Sequence, residues 1–401
     1  MTLKQLYFLI LALLFISFNA NAQENADKIL KDTIAYSDKN TQKVIEFGSF
    51  IENTIHSSDV DSFLLKLNED LFFERVLSHH PDIDASDSYI KGFLVGMKQS
   101  LNSFPQEIMS QVENGSYYDF ISYRYDVPSQ TYYALFRMYS VDSGMNYHDF
   151  RLHKTNDDIQ FTDMYTYLTG EHFTQTLGRM ITYTLPEKKS KKKRTSDLNK
   201  DFKEVFKALM YNNNEKYNQA YNTIDGLKTE LSKEKFLQIF KVLVASNIDE
   251  SKYLKALEEL IETHPDDPTI ALNKIDYHYY KGEYYEAIQV INQLQNETED
   301  DFLNYMKASV AFEDENYDLA LNLFKYTIDN YPDFFDGQAG YLNTLVMLNN
   351  FTDAVIYLDA LITDGYDKPL IIDYVEEEDE NGENILDKFA KSEDFKAWKN
   401  K

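Results

Sequence analysis

The stretch YDLALNLFKYTIDNYP, residues 317–332, decides how the C-terminal half of this 401-residue chain folds. Tyr317 precedes Ala320 by three residues, so both side chains lie on one face of a helix, and Pro332 closes the stretch. The same pairing of an aromatic residue with an alanine recurs at a regular spacing, at Ala220, Ala256, Ala287, Ala320 and Ala354. The alanine spacings of 36, 31, 33 and 34 residues predict stacked helix-turn-helix units, because a small side chain lets two helices approach closely.

This pattern resembles the tetratricopeptide repeat. The fourth unit fills the family's small, aromatic, alanine, phenylalanine and proline positions with Ala308, Tyr317, Ala320, Phe324 and Pro332. The third unit carries Gly282, Tyr284 and Ala287 at the matching positions. The resemblance implies an all-α solenoid of five repeats over residues 197–365, followed by a C-terminal cap over residues 366–401.

In that family the first helix of each repeat lines a concave groove. Carried over from the alanine positions, the groove residues are Leu272, Tyr279, Tyr280, Phe302, Tyr305, Phe312, Asn343 and Val346. This set is aromatic and uncharged, so the implied partner is an extended or helical peptide held by apolar burial and tyrosine hydroxyl contacts. The alternative is that the same aromatic residues form the core between repeats.

The N-terminal half shows helical apolar spacing first and period-two alternation afterwards. Four strands are predicted, at Tyr117–Asp126, Thr131–Val141, Asn146–Lys154 and Ile159–Leu168, and a last helix at Glu171–Thr184. Turn residues separate the strands, which favours an antiparallel meander. The sequence therefore predicts an α+β domain over residues 45–185, with helices and a four-stranded antiparallel sheet.

This order of elements resembles the cone-shaped domains of the nuclear transport factor 2-like and cystatin-like superfamilies. The alternating pattern places His148 beside Phe150, and it places Asp163 beside Phe161 and Tyr165. The resemblance implies a cavity lined by His148, Asp163 and Tyr165, in which a histidine and an aspartate could transfer protons. The alternative is a pair of buried, hydrogen-bonded side chains.

The charge distribution limits the classes of partner. The net charge of −27 argues against binding of nucleic acid or anionic lipid by general electrostatics. Residues 186–196 contain six lysines and arginines and are predicted to be a solvated basic linker. We expect no metal site and no cofactor, because ligand spacings and phosphate-binding motifs are not found.

Residues 1–22 have the anatomy of a signal peptide, with Lys4, an apolar run and the cleavage pattern Ala20-Asn21-Ala22. The mature protein is expected to begin at Gln23 with a flexible lead over residues 23–44. The chain has no cysteine, so neither disulfides nor a lipoprotein anchor is expected. The predicted location is the periplasm or the medium, without membrane insertion after cleavage.

Together these features predict an exported, non-catalytic interaction scaffold whose helical groove binds a protein or peptide. The alternative function is a small-molecule binder or lyase-like enzyme that uses the cavity of the N-terminal domain. A cavity lined by both His148 and Asp163 would favour the enzyme, and a cavity filled by large side chains would favour the scaffold.

Overall fold

The structure is a computed structural model that describes residues 34–79, 84, 86–99, 101–140, 144–184, 196–378, 382 and 384–401. The chain divides into two compact units, Met1–Tyr277 and His278–Lys401. The predicted signal peptide, residues 23–33 of the lead and residues 186–195 of the basic linker lie outside the described residues.

Five helices precede the sheet, each starting where the sequence supplies a cap or an apolar stripe. They are α1 (Asp38–His56), α2 (Val60–Leu65), α3 (Glu69–Ser78), α4 (Ser88–Gln99) and α5 (Ser103–Glu113). Ser37, Asp59 and Asn68 cap the first three helices, because each side chain accepts a hydrogen bond from a backbone N–H in the first turn.

The sheet is an antiparallel meander, as predicted, with strand order β1-β2-β3-β4-β5. The strands are β1 (Tyr117–Asp126), β2 (Thr131–Ser140), β3 (Gly144–Thr155), β4 (Asp158–Thr166) and β5 (Glu171–His172). The sequence predicted four strands, and the fifth is a two-residue strand in the segment predicted as the start of a helix. That helix, α6, therefore runs only over Phe173–Thr184. The α+β class is confirmed.

Aromatic rings fill the space between the helices and one face of the sheet. Phe63 of α2 lies 5.7 Å from Phe104 of α5, 6.2 Å from Phe150 of β3 and 5.5 Å from Phe161 of β4, measured between ring centroids. Phe136 of β2 packs on Phe150 at 5.2 Å. Such edge-to-face packing of large rings forms a continuous hydrophobic core.

The rest of the chain is a run of helices. They are α7 (Ser196–Asn213), α8 (Tyr217–Asp225), α9 (Lys235–Ala245), α10 (Glu250–Thr263), α11 (Ala271–Tyr280), α12 (Tyr284–Thr298), α13 (Leu303–Glu313), α14 (Tyr317–Asn330), α15 (Phe335–Met347), α16 (Phe351–Thr363), α17 (Lys368–Glu376), α18 (Asp387–Ala390) and α19 (Glu393–Lys399). Each alanine of the repeat pattern is at most 1% exposed, as a small residue at a close helix contact must be. The C-terminal half is thus a helical array of the tetratricopeptide type.

The division into compact units differs from the boundary predicted at the basic linker. Lys235 of α9 reaches across to the sheet domain, donating to the Gly170 carbonyl at 3.2 Å and to Thr269 Oγ1 at 2.6 Å, and it also pairs with Asp267 at 3.0 Å. The Arg179 guanidinium lies 5.7 Å from the Phe236 ring. The first repeat helices therefore pack with the α+β domain in one unit.

A buried cation fixes the helices of the first repeats. Lys241 of α9 is 5% exposed and donates to Asp225 Oδ1 at 2.5 Å and to Glu259 Oε2 at 2.6 Å. Its ammonium also lies 4.9 Å from the Tyr221 ring. Because α8, α9 and α10 each contribute a partner, this network joins three consecutive helices.

The last helices close the array. Trp398 is 1% exposed, stacks on Phe395 at 5.7 Å and donates its indole N–H to Asp359 Oδ1 at 2.7 Å. The tryptophan is therefore a core residue of the cap, which covers the apolar edge that the final repeat would otherwise expose.

Gly340 of α15 provides a direct test of helix packing in the array. A Cβ atom at this position would overlap the Phe324 ring of α14, so we expect Gly340→Ala to lower the unfolding free energy of the full chain by about 1–3 kcal/mol. Gly92→Ala in α4 is the matched control, because its Cβ would meet no atom within 4 Å. Denaturant unfolding in which the two variants are equally stable would contradict this packing.

Candidate functional site

Four aromatic rings cluster at the N-terminal ends of α13 and α15. Phe302 lies 5.0 Å from Tyr331 and 4.9 Å from Phe334, and Tyr305 lies 4.7 Å from Phe334. Phe302 and Tyr305 are themselves 5.7 Å apart. We call these four residues the groove cluster. They include two of the predicted groove residues, Phe302 and Tyr305, and a partner for either residue stays a prediction.

The helical spacing explains this arrangement. Phe302 and Tyr305 are three residues apart and so share one face of the α13 segment. Tyr331 and Phe334 come from the turn that leads into α15, and α13 and α15 pack directly on each other. Asp301 fixes the turn, because it accepts hydrogen bonds from the hydroxyls of Tyr326, at 2.6 Å, and of Tyr331. Aromatic rings are thereby held at defined positions.

A second aromatic group lies between α15 and α17. The ring of Phe335 is 6.1 Å from Tyr366 and 5.6 Å from Tyr374, and we call these three residues the C-terminal aromatic patch. The Tyr374 hydroxyl donates to Asn343 Oδ1 at 3.0 Å, which connects a predicted groove residue to the patch. Asp336 precedes Asn343 by two helical turns and lies on the same face of α15.

Tyr279, Tyr280 and Phe312 are partly accessible. Tyr280 is 42% exposed and Tyr279 half-buried, with their rings 5.5 Å apart. Burial raises the pKa of Tyr279 to about 12, and the charge of Glu313 acts in the same direction. Phe312 is half-buried and packs on Tyr317 at 5.4 Å. Tyr279 therefore carries a neutral hydroxyl at neutral pH.

The remaining predicted groove residues are buried. Val346 is 3% exposed and packs in the hydrophobic core of the last repeats, and Phe302 is 2% exposed. Leu272 of α11 is 7% exposed and belongs to the first compact unit. Of the predicted groove residues, those that a ligand can reach are therefore Tyr279, Tyr280, Tyr305, Phe312 and Asn343.

In the N-terminal domain, His148 is a buried structural residue. It is 2% exposed, with Nδ1 3.3 Å from the Tyr118 hydroxyl and Nε2 3.2 Å from Asn146 Nδ2. Burial lowers its pKa from 6.5 to about 4. At neutral pH the imidazole is therefore uncharged and a weak base.

Asp163 and Tyr165 do not lie with Phe161, contrary to the alternating pattern. Leu152 pairs with Phe161 but Arg151 pairs with Asp163, so Thr162 is an extra residue, a β-bulge, that reverses the alternation. Met164 rather than Asp163 joins Phe150 in the core. His148, which pairs with Thr166, and Asp163 therefore lie on opposite faces of the sheet.

The carboxylate of Asp163 has a structural role. It accepts hydrogen bonds from the Thr174 backbone N–H at 3.1 Å and the Thr174 hydroxyl at 2.6 Å, at the start of α6. It also accepts from the Met164 N–H at 2.9 Å, and His172 Nδ1 lies 3.4 Å away. Tyr165 packs on the His172 ring at 5.3 Å. These residues fix the turn between the sheet and α6.

A surface cavity of about 200 Å³ lies between α1 and the turn from β3 to β4. Lys43 and Lys66 line it together with Phe50. Lys43 pairs with Asp157 at 2.8 Å and Lys66 pairs with Asp158 at 2.5 Å. The local cations thus hold the turn in place, which accounts for their position without a ligand.

The described residues contain neither a candidate metal site nor a candidate membrane span. Within residues 34–79, 84, 86–99, 101–140, 144–184, 196–378, 382 and 384–401, no three histidine or acidic side chains are placed to hold a metal ion. Across the same part of the chain, no helix combines the length and the apolar character needed to cross a bilayer.

Sequence reasoning missed the C-terminal aromatic patch and Asp336. Tyr366 and Tyr374 fall in the segment assigned to the cap, so they were not considered as surface for a ligand. The sequence does contain a signal for this helix. Phe302, Asp336 and Leu370 follow one another at intervals of 34 residues, so the first-helix positions of the repeats continue into α17.

Comparison with known proteins identifies the repeats. Residues 305–368 match the profile of the tetratricopeptide repeat family, so the C-terminal half contains tetratricopeptide repeats.

No curated protein matches the chain. The solved structure of MamA AMB-1 is 11% identical, covers 43% of this chain and 97% of its own, and superposes with a TM-score of 0.33. A MamA mutant gives the same identity and coverage with a TM-score of 0.34. Scores this low carry no argument about this protein. The resemblance of the N-terminal domain to cone domains stays a prediction.

The depressed pKa of His148 predicts a pH dependence of stability. The unfolded chain binds the proton more tightly between about pH 6.5 and pH 4, so stability falls as the pH falls through this window. We expect His148→Gln to reduce the loss of unfolding free energy between pH 7 and pH 4 by at most about 3 kcal/mol. Urea unfolding at both pH values, on variant and wild type, measures the difference. Equal losses would show that the imidazole is not held neutral.

Proposed function

We propose that this protein is a non-catalytic interaction scaffold and that its C-terminal repeats bind a protein or peptide partner on the surface formed by the C-terminal end of α11 and by α13, α15 and α17. The observation that carries the proposal is the set of accessible side chains Tyr280, Tyr305, Phe312 and Asn343, an aromatic and hydrogen-bonding surface on the first helices of consecutive repeats. The buried rings of Phe302 and Phe334 support it from below. Rigid aromatic side chains supply large contact area at low entropic cost, which suits a site for peptides.

The half-buried rings favour a partner that offers apolar side chains. Tyr305 packs against Phe324 as well as Phe334, so its ring is fixed before any ligand arrives. A site that is ordered in advance loses less side-chain entropy on binding. The hydroxyls of Tyr280 and Tyr305 and the amide of Asn343 then provide hydrogen bonds that select orientation, and apolar contact provides most of the affinity.

The buried polar residues of the N-terminal domain support a scaffold over an enzyme. His148 and Asp163 lie on opposite faces of the sheet and each is hydrogen-bonded to neighbours. The space that a substrate would need on the helical side holds the rings of Phe63, Phe136 and Phe150. These contacts favour a structural role for the N-terminal domain, as the framework that carries the repeats.

Export completes the proposal. The segment over residues 1–22 is the basis for placing the mature protein in the periplasm or the medium, where a cysteine-free chain needs no redox partner. The absence of cysteine also argues against a lipid anchor. The partner is therefore expected among envelope or secreted proteins.

Removal of three groove tyrosines tests the binding site. We expect Tyr279→Ala/Tyr280→Ala/Tyr305→Ala to abolish capture of the envelope partner in a pull-down, because each anchor contributes on the order of 1–2 kcal/mol. Tyr285→Ala is the control, since this side chain is 70% exposed at the start of α12. Circular dichroism verifies that the helices remain. Capture that survives the triple change would contradict the proposed groove.

Export is tested separately by the mature N-terminus. If the signal peptide is cleaved after Ala22, intact-mass measurement of the protein from the envelope or medium gives a chain that begins at Gln23. Ala20→Asp/Ala22→Asp should leave the precursor uncut, because the cleavage site requires small side chains. A full-length wild-type chain in the cytosol would contradict export.

A further inference from the structure

The C-terminal aromatic patch is accessible to a ligand and has no apolar cover among the described residues. Phe335 is 45% exposed, and Tyr366 and Tyr374 are half-buried around it. Leu370 of α17, at the position that the 34-residue spacing predicts, is 65% exposed. Rings that are clustered and exposed in a solvated chain usually mark a contact surface.

Carboxylates surround the patch. The charges of Asp333 and Asp364 add to burial in raising the pKa of the Tyr366 hydroxyl, and the charge of Asp336 does the same at Tyr374. Residues 278–401 contain 27 aspartates and glutamates against nine lysines and no arginine. The potential at these aromatic faces is therefore negative, which adds to the negative faces of the rings themselves.

The chain supplies no cation to this patch in the part that the structure describes. Lys368 is close in sequence, but its ammonium donates to the Trp398 carbonyl at 3.0 Å and lies 4.7 Å from the Trp398 ring. Asp336 is half-buried and has neither a hydrogen bond nor an ion pair to its carboxylate among the described residues. Burial raises the pKa of Asp336, so a cation beside it would relieve an electrostatic cost.

We propose that the C-terminal aromatic patch and Asp336 bind an arginine side chain of the partner. This inference rests on the proposed function and names the partner's chemistry, a peptide with apolar residues for the groove cluster and an arginine for the patch. A guanidinium suits the site better than an ammonium, because it stacks on aromatic faces, sheds water more easily and can donate to one carboxylate through two N–H groups. Tyr374 would contribute its ring, which packs beside Phe335 with the ring centroids 5.6 Å apart.

The test measures binding of a defined peptide to the full chain. The probe is a fluorescein-labelled hexapeptide, Ala-Leu-Arg-Ala-Leu-Ala, and its partner probe carries citrulline, which is neutral and nearly the same shape, in place of arginine. Fluorescence anisotropy should show that the citrulline peptide binds about tenfold more weakly. Equal affinities would overturn the proposal, since the guanidinium charge would then contribute nothing.

Variants locate the binding to the patch. Asp336→Asn and Phe335→Leu should each weaken the arginine peptide by about fivefold or more, whereas Asp318→Asn, which removes the same charge from an exposed position on α14, should leave it unchanged. Phe335→Leu keeps an apolar side chain, so loss of π-stacking is tested without emptying the site. If Asp318→Asn weakens peptide binding as much as Asp336→Asn does, the effect comes from the net charge of the protein, and the proposed site at Asp336 is refuted.

Two readouts separate this inference from the proposed function. If Asp336→Asn and Phe335→Leu leave binding of the arginine peptide unchanged, the arginine site at the patch is refuted, even if the groove tyrosines prove essential for capture of the envelope partner. Conversely, if the envelope partner is still captured after the three tyrosine changes, the proposed groove is refuted, whatever the affinity of the arginine peptide. Tyr374→Phe, which loses only the hydroxyl, is expected to retain the ring contact and to bind the arginine peptide within about twofold of wild type.

Discussion

Close packing of helices at small residues is the constraint on which the C-terminal architecture depends. Ala320 is fully buried, and Gly340 lies so close to the Phe324 ring that even a methyl group would overlap it. Side chains of this size let α14 pack tightly against its neighbours, and that packing sets where α13 and α15 present their other faces. The positions of Tyr305 and Asn343 are therefore consequences of residues that no ligand touches.

The chain is strongly acidic, and the two compact units handle charge differently. In the first unit, buried cations are matched by carboxylates, as Lys241 shows with Asp225 and Glu259. A buried charge that is paired on two sides orders the helices that supply its partners, and breaking one contact would leave a charge without compensation. In the second unit the ion pairs are on the surface, as that of Lys325 with Asp329, and Asp336 has no ion pair among the described residues. Asp336 is therefore the carboxylate at which we propose that a partner's arginine binds.

The sequence predicted the repeats well because their signal is local and recurs. An aromatic residue three positions before an alanine, recurring about every 34 residues, identifies the second helix of each repeat and its buried face. The sheet was harder, since one extra residue at Thr162 reverses which side chains face the core and so separates Asp163 from His148. The alternation of apolar and polar residues along a sequence does not reveal a β-bulge. Tyr374 was missed for another reason. It belongs to a helix whose repeat lacks the diagnostic alanine, and its contacts with Phe335 and Asn343 are long-range contacts that the sequence pattern does not show.

The central claim is that partners meet the faces of α13 and α15, and photo-crosslinking in the native envelope tests it most directly. A photoreactive phenylalanine analogue at Phe312 replaces a half-buried ring on the proposed surface, and the same analogue at Tyr285 labels an exposed position on α12. The account predicts that illumination yields a discrete protein adduct from position 312 and none from position 285. Adducts from position 285 alone would place the partner on the other helices and contradict the account.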